Sequence, residues 1–460
     1  MRVASAVAEF WRRYGMRSQM THLGKDLLGP IENDCNEFVP AGFVINCSNV
    51  RNPFRSSLPY RQSADIGNVN SIKVSDMSIP DQGRILFVVG SLTVGGAEGQ
   101  LAMLAESLKS RGWTVEIFLL EKSGALVERL ERAGIHVSDG AYKFDPGNRV
   151  VKLALLFICE VGLVWRILRF RPEVVHGFLP LTNLMSAIAG RMARVSLIIT
   201  SKRALSRHQD RHPSSRWLDR AANALSDVIT ANSQAVASDT QARDGYNASR
   251  IVVIPNGLDF VRFDEARGHR HEARSELGLS KSDIAIAMVA NLIPYKGHIE
   301  LIEAFARIAA DDPRLKLFLI GQDRGVAEAL MSNARRLGAA DRIDLMGQRS
   351  DVPRLLSAMD VGVLASHEEG FSNALLEKLA AGLPVVATRV GGNPEALEGM
   401  PNCFLVRPQD PDDLARGLAD AIGKLGADDP SRKIRQSRVR ERYSVDAMVD
   451  AYERLYLRNQ

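Results

Sequence analysis

Short, almost wholly apolar runs recur along the second part of the chain, each closed by a glycine or polar turn and followed by helical spacing. Arg84–Val89 is such a run; Gly90-Ser-Leu-Thr-Val-Gly95-Gly96 follows it, then an amphipathic stretch from Ala97 to Ser110 and a second run at Thr114–Leu120. Val174–His176, Leu197–Thr200, Val228–Thr230 and Ile251–Ile254 continue the series. The grammar restarts at Ile284–Ala290, with a polar loop at Asn291–Gly297 and a helix over His298–Ala310. Runs at Leu315–Ile320, Ile343–Leu345, Val361–Leu364 and Pro384–Thr388 follow. Apolar strands alternating with helices predict parallel sheets covered on both faces. The expected class is α/β, with two doubly wound domains and a seam in the polar stretch Asn256–Asp283. In open sheets of this kind, ligands bind beyond the carboxyl ends of the strands.

The first 83 residues lack either period and are rich in Asn, Ser, Arg and Pro, so they are expected to be irregular, with one short helix near Ala4–Tyr14. Met77, just before the first strong strand, marks an alternative start. Four regions result: an extension at 1–83, a first α/β domain at 84–260, a second at 261–430, and a helical segment at 431–460 expected to pack back toward the first domain.

Composition narrows the function classes. The chain has 460 residues, and its four cysteines show no CxxC pair and no zinc-type spacing with histidine, which fits a reducing compartment. A net charge of +5 is far from the field of a dedicated nucleic-acid binder. The most apolar stretch, Val151–Phe170, is interrupted by Lys152, Glu160, Arg166 and Arg169. It reads as a buried or amphipathic helix rather than the roughly 20 apolar residues of a span. The protein is expected to be cytoplasmic, or peripheral at the inner face of the plasma membrane. Charge is uneven: residues 84–260 hold 22 basic and 16 acidic side chains, against 28 and 30 in 261–460. Within 190–220, Arg191, Arg194, Lys202, Arg203, Arg207, Arg211, Arg216 and Arg220 face only Asp210 and Asp219. That cluster could meet anionic lipid or a phosphorylated acceptor, or be an ordinary solvated surface.

Several positions are candidates for chemistry. Gly95-Gly96-Ala97-Glu98 opens a helix after a strand, where backbone N–H groups can hold a phosphate; tight-turn structure would explain it equally well. Lys296, followed by Gly297 at a strand-to-helix loop, can neutralise phosphate oxygens or sit solvated. The segment from Ser366 to Ala387 runs from a strand end through a polar loop into a helix, placing Glu369 in the loop and Glu377 on the helix. Carboxylates accept paired hydrogen bonds from vicinal diols, so ribose and hexose are natural partners; alone, each could be an exposed acid or a helix-dipole partner. His176 ends a strand and is expected to point into the cleft. Asp410-Pro411-Asp412 precedes a helix and reads as an N-cap rather than a metal motif.

Together these pieces resemble the family 4 retaining glycosyltransferases, which have the GT-B fold. The resemblance spans about residues 84 to 425. It rests on Gly95-Gly96-Ala97-Glu98, Pro172–His176, Asn232-Ser233, Ile254–Asp259, Lys296-Gly297, the Glu369–Glu377 segment with Gly382-Leu-Pro384, and Gly391–Glu395. It implies two Rossmann-like domains across a cleft, an acceptor domain at 84–260 and a nucleotide-sugar domain at 261–430, and transfer of a hexose-type sugar from a nucleotide sugar, UDP-linked by expectation, with no cofactor and no metal. By position, Glu377 would hold the ribose, Lys296 the diphosphate, and Glu369 with Gly370, Phe371 and Ser372 the donor sugar. Gly95 and Gly96 would face the phosphates from the other domain. The acceptor would be a glycan, lipid-linked or phosphorylated molecule in surface polysaccharide synthesis. Two departures stand out. The family commonly has Arg where this chain has Asn291, and His where it has Phe178, leaving His176 as the remaining histidine of that pair. The Asn291 departure also admits a second reading, a GT-B-like protein that binds nucleotide sugar with impaired chemistry; a sugar-nucleotide epimerase is a third.

Overall fold

The computed structural model describes residues 82–93, 95–143, 148–206, 213–244, 248–426 and 429–457. The helix expected at Ala4–Tyr14, nearly all of the 1–83 extension, and Arg207 and Arg211 of the basic cluster lie outside them.

Thirteen strands are described, in two parallel sheets. The first holds β1 (Arg84–Val89), β2 (Thr114–Leu119), β3 (His136–Asp139), β4 (Val174–Phe178), β5 (Leu197–Lys202), β6 (Val228–Ala231) and β7 (Ile251–Val253), in the order β3-β2-β1-β4-β5-β6-β7. The second holds β8 (Ile284–Val289), β9 (Leu315–Ile320), β10 (Ile343–Gly347), β11 (Val361–Leu364), β12 (Val385–Thr388) and β13 (Phe404–Val406), in the order β10-β9-β8-β11-β12-β13. In both, the order reverses beside the first strand, between β1 and β4 and between β8 and β11. A crevice opens at such a switch point.

The sheets follow from the apolar runs. Along β1, Phe87 and Val89 pack on one side of the sheet while Leu86 and Val88 pack on the other, and all are buried. Burying a side chain of this size stabilises by about 1.5–3 kcal/mol, and a strand covered on both faces buries every one. The edge strands β3 and β13 escape this signature. β3 carries His136, Ser138 and Asp139 around one valine, and β13 is three residues long. The 256–283 seam is also more ordered than a linker. Helices over Val261–Ala266 and Arg270–Glu276 bury Phe263, Ala266 and Ala273, and Arg274 bonds Asp360 from beneath the second sheet. Their charged outer faces make the stretch look loose in sequence.

Nine of the helices are labelled here: α1 (Gly96–Ser110), α2 (Arg149–Phe170), α3 (Pro180–Met192), α4 (Pro213–Leu225), α5 (His298–Ala309), α6 (Asn373–Ala380), α7 (Pro411–Gly423), α8 (Pro430–Tyr443) and α9 (Val445–Leu457). Asp410 caps α7 by accepting from Asp413 N at 2.9 Å, which accounts for Asp410-Pro411-Asp412. Helix α8 belongs to the second lobe, where fully buried Arg435 donates to the Gly382 and Pro401 carbonyls and pairs with Asp429. Helix α9 instead enters the core of the first lobe through Met448, Val449, Tyr452 and Tyr456. There Arg111 reaches Asp450 and Glu453 at 2.5 Å each, and the Trp113 indole N–H donates to Glu453 at 2.9 Å. The chain therefore passes between lobes twice. The two crossings touch: Leu258 N donates to Tyr443 O at 2.8 Å, and Val445 N to Leu258 O at 3.2 Å.

Candidate active site in the cleft between the lobes

A cavity of about 450 Å³ lies between the lobes. The first lobe lines it with Gly96, Ala97, Arg203, Asn232 and Asn256. The second contributes Asn291, Lys296, Arg349 and residues 368–374, from the loop after β11 into the first turn of the next helix. The walls are tied across the seam. Ser233 Oγ donates to Gly370 O at 3.0 Å, Asn256 Nδ2 to Phe371 O at 3.1 Å and to Asn373 Oδ1 at 2.6 Å, and Gln100 Nε2 to Asn373 Oδ1 at 3.4 Å. Glu395 accepts from Gln234 N and Ala235 N, both at 2.8 Å, so an acid of the second lobe caps a helix of the first. Gly370 is required where the lobes meet, because a Cβ there would run into the Arg203 carbonyl.

Lys296 closes a single 3₁₀ turn, Pro294–Lys296, whose next residue, Gly297, has φ +75° and starts α5. A side chain at Gly297 would be strained by that φ and would also collide with the Ala365 carbonyl. The Lys296 ammonium pairs with Glu369 Oε1 at 2.6 Å and lies 5.1 Å from the Tyr295 ring centroid. Ser366 Oγ donates to the same carboxylate oxygen at 2.7 Å. Both partners are more than four-fifths buried, so their attraction is little screened. Gly370, Phe371 and Ser372 line the cavity, and the Ser372 hydroxyl is engaged as the α6 cap on Leu375 N. Asn291 lines it too, with its amide oxygen taken by Gln322 N at 3.1 Å.

Other expected residues lie elsewhere. Gly96 borders the cavity, but Gly95 stands just behind it as the α1 N-cap. Glu377 is half-buried on α6, outside the cavity lining; burial holds its carboxyl above the usual range, against the pull of Lys378 and Arg262.

The expectation that His176 points into the cleft is corrected. Strand β4 runs on to Phe178, and α9 covers the His176 ring, which is fully buried. Its Nδ1 meets the Tyr456 hydroxyl at 2.9 Å and its Nε2 the Ser201 hydroxyl at 2.8 Å, between the rings of Phe178 and Tyr452. Burial, helped by the Arg203 charge, keeps the imidazole well below its ordinary pKa and therefore neutral.

Two family models match in tandem on this architecture: "Glycosyltransferase Family 4" over residues 94–262 and "Glycosyl transferases group 1" over 283–424. The chain belongs to the family 4 glycosyltransferases. It is 27% identical over 394 residues to a D-inositol 3-phosphate glycosyltransferase of Geodermatophilus obscurus, covering 79% of this chain and 85% of that one. The same-named enzyme of Segniliparus rotundus is 31% identical over 234 residues, about half of each chain (49% and 51%). An Escherichia coli enzyme, UDP-Gal:alpha-D-GlcNAc-diphosphoundecaprenol alpha-1,3-galactosyltransferase, is 24% identical, covering 62% of this chain and 75% of that one. The solved structure of Anabaena Alr3699/HepE in complex with UDP superposes with a TM-score of 0.71 over 82% of this chain and 100% of that one, at 24% identity. These neighbours carry the GT-B fold.

This glycosyltransferase also holds charged residues in the cavity wall, and one behind it, that the motifs do not include. Lys378 is fully buried on α6, its ammonium donating to Ala374 O at 3.0 Å, and burial lowers its pKa to about 8 despite Glu377 and Glu369 nearby. The signal was present: Lys378 falls on the same helical face as Leu375 and Leu379, where a cation is out of place. Arg203 and Arg349 carried no such signal, because nothing in their local sequence separates a cleft-facing arginine from a solvated one. Among the described residues no group of three or more His, Cys, Asp or Glu side chains could hold a metal ion.

Proposed function

We propose that this glycosyltransferase moves a hexose-type sugar from a UDP-sugar, with retention at the anomeric carbon, onto a glycan or lipid-linked acceptor in surface polysaccharide synthesis. The observation that carries the reading is the convergence of the Lys296–Glu369 pair with the starts of α1 and α6 on one interlobe cavity. Helix starts present free N–H groups and partial positive charge, and an ammonium beside them suits a diphosphate. In the reaction the donor C1–O bond breaks and its electron pair stays on the diphosphate oxygen. The acceptor oxygen bonds C1 on the same face, and the acceptor proton leaves with the diphosphate. Lys296 meets the charge gained by the leaving group, where it contributes more to the transition state than to the ground state. As the diphosphate takes the ammonium, Glu369 is released toward the donor-sugar hydroxyls. Glu377, one turn further along α6 than the cavity-lining Ala374, is assigned to the ribose, and no metal is needed for the diphosphate.

The outer face of the first lobe supports peripheral contact with an anionic membrane. Helix α2 exposes Val150, Leu153, Phe157, Val161 and Leu168 in one stripe, Trp217 on α4 is 69% exposed, and Lys152 and Arg169 are exposed elsewhere on α2. Apolar anchors on a lobe with an excess of basic side chains match an anionic bilayer surface. No helix of the described residues is long and apolar enough to cross a membrane.

Incubation with UDP-glucose, UDP-galactose, UDP-N-acetylglucosamine and GDP-mannose, read by released nucleoside diphosphate, tests the function. Release of UDP that grows with added acceptor is expected. Binding without release from any donor would favour a protein that has lost its chemistry.

A further inference from the structure

Three cations line the cavity among the described residues: Lys296, Arg349 and Arg203. Two are already neutralised by the protein. Lys296 is paired with Glu369 at 2.6 Å, and Arg349 is gripped by both oxygens of Asp351 at 2.8 and 2.7 Å. Arg203 is different. It follows β5 in the first lobe, and its guanidinium donates to the Asn256 amide oxygen at 2.5 Å while lying 5.6 Å from the Phe178 ring centroid. Both supports are neutral, and no carboxylate of the described residues pairs with it. A half-buried cation held in a fixed orientation without a counter-charge is costly unless an anion is to arrive. Its support also fixes its place. Asn256 holds Arg203 on one side and, on the other, donates to Phe371 O and Asn373 Oδ1 at the start of α6. The Asn373 amide in turn reaches Gly96 O, at the start of α1, at 3.4 Å. Arg203 thus stands beside the two helix starts, across the cleft from Lys296.

We infer that Arg203 is the second cation for the leaving diphosphate, supplied by the first lobe so that full neutralisation requires the closed cleft. This rests on the nucleotide-sugar reading above and deepens it. When the donor C1–O bond breaks, the electron pair remains on the diphosphate, and the guanidinium fork accepts that charge through two N–H donors in a geometry that suits phosphate oxygens. A diphosphate would meet Arg203 with its charge uncompensated and Lys296 only in exchange for Glu369.

The test uses the full chain and four proteins: wild type, Arg203→Gln, Arg203→Lys, and Arg203→Gln combined with Asn291→Arg. UDP, GDP and uridine binding is measured by calorimetry, and turnover and KM values on the best donor from the screen. For Arg203→Gln we expect about a tenfold or greater loss of diphosphate affinity and an unchanged affinity for uridine. Turnover should fall on the order of 10- to 100-fold, with the acceptor KM unmoved. Arg203→Lys should recover part of both losses. Asn291→Arg, which places a cation on the facing wall, should recover part of the affinity, a result that a merely structural Arg203 would not give. Equal UDP affinity in wild type and Arg203→Gln, or an equal loss for uridine, overturns the inference. So does an effect confined to the acceptor KM, which would assign Arg203 to an acceptor phosphate. If wild type binds neither UDP nor GDP, the nucleotide-sugar reading itself fails, and that outcome is distinct from the others.

Discussion

The two sheets share one winding order, yet the carboxyl ends of their middle strands are used in opposite ways. At the end of β4 the first lobe is sealed: His176 and Phe178 are buried against Tyr452 and Tyr456 from α9. At the equivalent place the second lobe is open, and the loops after β8 and β11 carry Asn291, Lys296 and Glu369 to the cavity wall. A Rossmann-like crevice can therefore be filled with aromatic side chains or left as a polar site. The choice here depends on whether another helix covers it. The sealed lobe still contributes to the cleft, through backbone at Gly96 and the guanidinium of Arg203.

The contrast can be broken most sharply in the open lobe. Lys296→Ala or Glu377→Ala should lower turnover on the order of 100-fold or more, measured as nucleoside diphosphate release on protein shown to be folded by circular dichroism. Near-wild-type transfer by both variants would remove the assignment of chemistry to this lobe. Next in size is the seam. Gly370→Ala pushes a methyl group against the Arg203 carbonyl, and turnover should fall roughly tenfold or more by holding the lobes apart. Normal turnover would mean that closure at this point is not needed.

On the outer face of the sealed lobe, replacing both Leu153 and Phe157 with Ser should weaken co-sedimentation with phosphatidylglycerol vesicles about tenfold, given about 25 cal/mol per Å² of apolar surface withdrawn from water. Turnover on a soluble acceptor should be unaffected, and unchanged vesicle binding would discard the stripe as a membrane contact. The smallest effect concerns pH. His176 and His298 are both held neutral by burial, His298 with a pKa lowered to about 4. Their folded pKa values lie below the unfolded value near 6.5, so the unfolded chain takes up protons first as pH falls. The contribution of these two histidines to stability should be level above about pH 6.5 and decline between there and pH 4, by a few kcal/mol at most. His298→Asn should flatten that decline in denaturant melts; a profile that keeps its slope would rule out His298 as a source.

Much of this was legible in the chain because local pattern and burial coincide. A parallel strand covered on both faces must be apolar throughout, so β1, β2, β8 and β9 announce themselves; β3 does not, being an edge strand with His136, Ser138 and Asp139 along it. Lys296 and Glu369 were visible because glycines and polar residues interrupt the apolar grammar where loops must form. His176 misled for the opposite reason. Its position at a strand end suggested exposure, and the tyrosine that buries it is 280 residues away.

The order of apolar runs and turns by itself determined two doubly wound sheets and which loops crown their carboxyl ends, since that follows from side-chain period and backbone hydrogen bonding alone. Only the tertiary structure decided which crevice is plugged by α9, that Lys296 and Arg349 are neutralised while Arg203 is not, and that α2 leaves an apolar stripe uncovered. Those outcomes depend on which distant side chains come within hydrogen-bonding or van der Waals range, and no local pattern encodes that.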